Sequence, residues 1–134
     1  MYVLSFHLSV LSSGNLLTSE VYHPAYYRGV AAAAVEAGAH MIGIKDMAGL
    51  LRPMEVAPLL AALREVLPAS MPIHFHTHAT SSGAIATCLE MARLGCDVVD
   101  VATASMADGT SQPSLNAFVA MLEVRCLLCY VPMI

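Results

Sequence analysis

Three short apolar runs, HMIGIKD from residue 40, PIHFHTHAT from residue 72 and DVVDVATA from residue 97, recur with a helix-forming stretch between successive runs. This alternation is the strongest constraint on the fold. Strands joined by a helical crossover run parallel, since a parallel connection needs a dozen or more residues. The stretch HPAYYRGVAAAAVEAGAH predicts a helix opened by Pro24 and closed by Gly38. Pro53 opens PMEVAPLLAALREVL, where the internal Pro58 is expected to loosen the first turns. AIATCLEMARLG is stopped by Gly95, and Pro113 opens PSLNAFVAMLEV. The reading is α/β: a helix, then three consecutive βα units with parallel strands. An open doubly wound sheet and a (β/α)8 barrel both accommodate it. No G-x-G-x-x-G or P-loop follows any strand, so the nucleotide-binding form of the open sheet loses its main support.

Length then matters, because 134 residues are about half of the ~250 that a closed barrel takes. The chain is 57% hydrophobic and 12% charged, the composition of something mostly interior. A net charge of -4, with arginines scattered and no basic run, argues against nucleic-acid binding. MYVLSFHLSVLSSG lacks a basic n-region and is too short and too interrupted for a membrane span. Residues 1–23 are therefore read as an atypical N-terminal segment. Cys88 and Cys96 suit small buried thiols beside a helix, while Cys126 and Cys129 form a C-x-x-C in an apolar tail over residues 125–134. No disulfide framework emerges, and a reducing intracellular compartment fits.

The second run carries the chemistry. Strand side chains alternate, so His74, His76 and His78 share one face while Ile73, Phe75 and Thr77 share the other. Three imidazoles on one face each need a hydrogen-bond partner or a metal, which points to a metal site. On the preceding strand Met41, Gly43 and Lys45 share a face, and Lys45 sits at the carboxyl end, where parallel-sheet active sites collect. Parallel neighbours lie ~4.8 Å apart, so Lys45, His76 and His78 can converge on one point. An ammonium beside a metal would repel it. Lys45, the only lysine in the chain, must then be neutral, displaced or modified, and carbamylation would convert it to an anionic oxygen ligand. A lysine ion-paired to Asp46 or Asp100, or a Schiff-base lysine, stays open on the residues alone.

The segments IKDMAGLLRP, PIHFHTHATSSG, DVVDVATASM and GTSQPS, in this order, resemble the carboxyltransferase domain of the pyruvate carboxylase family, over about residues 26 to 123. The domain itself is set at 24–124. The resemblance implies a partial (β/α)8 TIM barrel, the fifth to seventh units of eight. It implies a divalent metal, zinc or manganese, bound by carbamylated Lys45 with His76 and His78, with His74 deeper in the barrel and Asp46 in a supporting shell. It also implies a ligase reaction in which a carboxyl group passes from carboxybiotin to pyruvate, giving oxaloacetate, with biotin carried on a domain absent here and a homo-oligomeric enzyme in the cytoplasm or mitochondrion. Neither nucleic acid nor membrane is among the partners. The family's aspartate ligand and pyruvate-binding arginine are expected before this chain and its proton-shuttling threonine after it, so the chain reads as a fragment, inactive alone. Ala79 stands where the family has an aspartate after H-T-H. An oxaloacetate decarboxylase alpha subunit, an acyl-CoA aldol lyase and a degenerate non-enzymatic fragment are the alternatives. Borohydride reduction with a ketone substrate separates the two chemical roles of Lys45: a ligand lysine gives no covalent adduct, and an adduct on Lys45 would exclude metal ligation.

Overall fold

The computed structural model describes residues 5–9 and 22–130, with side chains over 22–122. The elements run β1 (Ser5–Ser9), α1 (Pro24–Glu36), β2 (Met41–Asp46), α2 (Pro53–Arg64), β3 (Ile73–Thr77), α3 (Ala84–Arg93), β4 (Val98–Val99) and α4 (Leu115–Tyr130). The strands form one parallel sheet in the order β1-β2-β3-β4. Sequential order with a helix in each crossover is the layout of consecutive βα units.

The α/β character and the parallel direction are as the sequence reading expects; the strand count is not. Inside the segment set apart as atypical, Ser5–Ser9 pairs with Met41–Lys45 as a fourth strand. Its run SFHLS does alternate polar and apolar residues, but five residues give that period little weight. β4 is shorter than the run DVVDVATA suggested: its ladder ends at Val99, and a single parallel bridge joins Ala102 to Ser114. At the other end, helix α4 extends through Tyr130, into the stretch read as a separate tail. The side chains of Cys126 and Cys129 lie outside those described. α2 runs unbroken through Pro58. The bond that proline forgoes is to the carbonyl of Met54, an exposed residue at the helix start, within reach of solvent.

Helix ends follow local chemistry. Past α1, Ala39 N–H donates to Ala34 O at 3.0 Å and Gly38 N–H to Val35 O at 2.9 Å, the paired bonds of a Schellman motif with glycine in the left-handed position. At the start of α2, Pro53 occupies a first-turn position and the buried Glu55 accepts the Arg52 backbone N–H at 3.1 Å, the carboxylate half of a capping box.

One face of the sheet holds the core. Ile42, Ile44, Ile73 and Phe75 are at most 1% exposed and pack against Tyr27 and Ala31 of α1, Leu59 and Leu63 of α2, Cys88 and Met91 of α3, and Phe118 of α4. Fully burying a side chain of this size contributes roughly 1.5–3 kcal/mol, so this layer fixes which way β2 and β3 face. The side chains between these core positions turn to the opposite face. Asp97 locks the amino ends of the sheet: its Oδ2 accepts Ile73 N–H at 2.8 Å and Arg64 Nη2 at 3.1 Å, tying β3 to the end of α2. Among the described residues no helix is long and apolar enough to cross a membrane.

Burial, reinforced by the neighbouring Cys96, Asp100 and Asp46, pushes the Cys88 thiol up to about 12, and burial pushes Cys96 up to about 11. The thiolate is the reactive form. At about pH 8.5, where an ordinary thiol is half ionised, iodoacetamide should label Cys88 and Cys96 far more slowly in the folded chain than in urea. Equal rates, read peptide by peptide in a mass spectrometer, would contradict the packing of α3 on the sheet.

Candidate metal centre

The site lies at the carboxyl end of the sheet, on the face away from the helices. In the β2–β3 register Lys45 stands opposite His76, and Gly43 opposite His74. β3 ends at Thr77, but His78 keeps an extended backbone with φ -114° and ψ 148°. The alternation therefore continues, and His74, His76 and His78 share a face while Ile73, Phe75 and Thr77 are buried.

Each imidazole is held from behind. His76 Nδ1 lies 2.7 Å from Asp100 Oδ2, and His78 Nδ1 lies 2.7 Å from the Thr110 carbonyl oxygen. Burial alone would push the Asp100 carboxyl up, but hydrogen bonds from His76 and His74, with their charge, hold it below its ordinary value. An ionised carboxylate and a carbonyl can only accept, so both Nδ1 atoms carry protons and donate. A neutral ring held in this way keeps its lone pair on Nε2. The two Nε2 atoms face each other at 3.2 Å. Two lone pairs at that distance repel unless a proton or a cation lies between them.

The separation suits a cation. Two nitrogens bound to one tetrahedral zinc at 2.0–2.1 Å stand about 3.3 Å apart. Donor identity fits as well, because neutral imidazole with its other nitrogen hydrogen-bonded to a carboxylate or carbonyl is the usual form of a histidine ligand. Among the described residues no three His, Cys, Asp or Glu side chains group around a metal position. Lys45 is on the same face and level with His76. The described residues include no ion-pair partner for it: Asp100 is engaged by His74 Nε2 at 2.9 Å and by His76. The ion-paired alternative for Lys45 therefore finds neither of its expected partners.

Asp46 is placed elsewhere. Adjacent to Lys45 on the strand, it points to the opposite face and is fully buried. Its carboxylate accepts Leu50 N–H and Leu51 N–H, each at 3.0 Å, and Thr77 Oγ1–H at 3.2 Å. Its carbonyl accepts His78 N–H at 3.3 Å. It supports the site through the chain, touching no ligand nitrogen. His74 sits deeper along β3 than the facing pair, bound to Asp100. The sequence reading assigned no role at the histidines to Asp100 or Thr110. Asp100 had a readable signal: His74 pairs with Val98, so two residues further along both strands Asp100 comes level with His76. Thr110 had none, since a backbone carbonyl in a loop leaves no trace in residue type.

Comparison with known proteins identifies the family. The HMGL-like family pattern matches residues 17–131. The mitochondrial pyruvate carboxylase of Homo sapiens is 47% identical over 112 residues, covering 84% of this chain and 9% of that protein. The Bacillus subtilis pyruvate carboxylase is 45% identical over 102 residues, covering 76% of this chain and 9% of the enzyme. The chain thus spans about a tenth of the length of these relatives. Among solved structures, the carboxyl transferase domain of Rhizobium etli pyruvate carboxylase with pyruvate matches with a TM-score of 0.82 and 41% identity, over 90% of this chain and 20% of that one.

The loop after β2 constrains the histidines closely. Gly49 has φ +64°, and a Cβ there would stand 2.3 Å from the His78 carbonyl oxygen. The left-handed conformation alone costs a non-glycine residue roughly 1–2 kcal/mol. Gly49→Ala should lower stability by at least that much in urea unfolding and displace His78; an unchanged midpoint would contradict the contact.

Proposed function

We propose, starting from the fact that this chain belongs to the HMGL-like family, that it supplies part of the metal centre of a pyruvate carboxylase carboxyltransferase domain. The observation that carries the reading is the pair of Nε2 atoms 3.2 Å apart, both rings held in the ligand tautomer, on the strand next to Lys45. His76 and His78 are the nitrogen ligands. Carbamylated Lys45 is the anionic oxygen ligand, which removes the repulsion an ammonium would offer a divalent cation. Zinc or manganese bound there would stabilise negative charge on an enolate oxygen. The reaction moves a carboxyl group from N-carboxybiotin to the methyl carbon of pyruvate: a C–N bond breaks, a C–C bond forms, and the methyl proton passes to the biotin nitrogen. Biotin is the carrier of the one-carbon unit, and the enzyme is homo-oligomeric and works inside the cell.

Within this chain the residues position rather than turn over. β2 and β3 set Lys45 and His76 level, and the loop carrying Thr110 closes on His78. Ala79 donates its N–H to Ser111 O at 2.7 Å and brings no second carboxylate to the ligands. The test is metal and carbon dioxide binding by the full chain. With zinc or manganese and labelled bicarbonate, a carbamate carbonyl signal should appear and be lost in Lys45→Ala. His76→Ala should weaken metal binding at least tenfold, about 1.4 kcal/mol. Unchanged metal affinity in both variants would end the reading.

A further inference from the structure

Asp100 lies just past the ladder of β4, held there by its own N–H, which donates to Phe75 O at 3.0 Å. Its side chain turns to the face that carries the histidines, and both of its oxygens are used. Oδ1 is 2.9 Å from His74 Nε2 and Oδ2 is 2.7 Å from His76 Nδ1. We infer that Asp100 is a positioning residue for the metal-binding histidines, its carboxylate dictating through the hydrogen bond to His76 Nδ1 which nitrogen of that ring is left to a ligand.

Three features carry this. The carboxylate can only accept, so the facing Nδ1 of His76 must be N–H. His76 is thereby confined to the Nδ1–H tautomer, with its Nε2 lone pair directed at His78 Nε2. His74 differs from its two neighbours on the face: the nitrogen it turns toward Asp100, at 2.9 Å from Oδ1, is Nε2. Strands are depleted in aspartate, and Asp100, with its side chain 37% exposed beside two partly buried rings, has a polar surrounding of its own making. An asparagine has the same shape but one acceptor and one NH2 group. Turned one way it presents that NH2 group to His76 Nδ1, which can no longer be the donor.

The inference rests on the metal reading above, and the experiment separates the two. Nitrogen-15 spectra of the histidine rings in the full, metal-free chain at about pH 8, above the ordinary imidazole range, report the tautomer directly. His76 should show Nδ1–H in the native chain and a mixed or reversed form in Asp100→Asn, while Asp100→Glu, which keeps the carboxylate, should retain Nδ1–H. Cobalt(II) titration should show affinity falling roughly 10–100-fold in Asp100→Asn, with partial recovery in Asp100→Glu. Native His76 in the Nε2–H form overturns the inference without any variant being needed, as does Asp100→Asn with tautomer and affinity unchanged. Should the native chain bind no cobalt, the metal reading fails and the ring spectra alone decide: loss of Nδ1–H in Asp100→Asn upholds the positioning role, and its persistence refutes it.

Discussion

The carboxyl end of the sheet depends on one buried acid. Asp46 is fully enclosed, and an isolated carboxylate in such a place would be costly. Three donors satisfy it: two amides of the loop after β2 and the hydroxyl of Thr77 on β3. The loop must therefore turn back beneath the strand ends, and it brings Gly49 against His78 at a distance no side chain tolerates. Since the Asp46 carbonyl also takes the His78 N–H, the same residue sets the backbone from which a ligand ring projects. Losing such a network leaves several groups unpaired at once, the costly case for buried polar atoms.

Strand β3 shows how a two-residue period serves two solvents. Ile73, Phe75 and Thr77 face the helices and supply cohesion; His74, His76 and His78 face away and supply chemistry. Neither set can slip without the other, because a one-residue shift would exchange the faces. Packing of the core thus holds the imidazoles as firmly as their hydrogen bonds do. The loop through GTSQPS adds the last restraint. Bonds from Ala79 N–H to Ser111 O and from Ala102 N–H to Pro113 O draw it over the site, where the Thr110 carbonyl meets His78.

Alternation alone located the face that carries the histidines. The three histidines and Lys45 were legible in the sequence because strand geometry is regular and polar side chains on a buried-sheet pattern require an explanation. β1 was not legible: SFHLS is short and the stretch that follows obscures it, so the pairing with β2 had to come from the sheet itself. How Asp46 supports the site was not legible either: the pleat turns it to the face opposite Lys45, so it acts through the loop after β2 and Thr77.

By itself the sequence determined the α/β class, the parallel direction of the strands, the shared face of His74, His76, His78 and Lys45, and the family. These follow from local rules: the period of a strand, the length a crossover needs, and motifs read in order. Only the tertiary structure decided what each polar atom on that face binds. Asp100 meets His74 and His76 from another strand, and Thr110 meets His78 from a loop 32 residues on. Tautomers, and with them the two lone pairs aimed at one point, are set by partners distant in sequence. Residue type offers the donors and acceptors, and folding alone chooses among them.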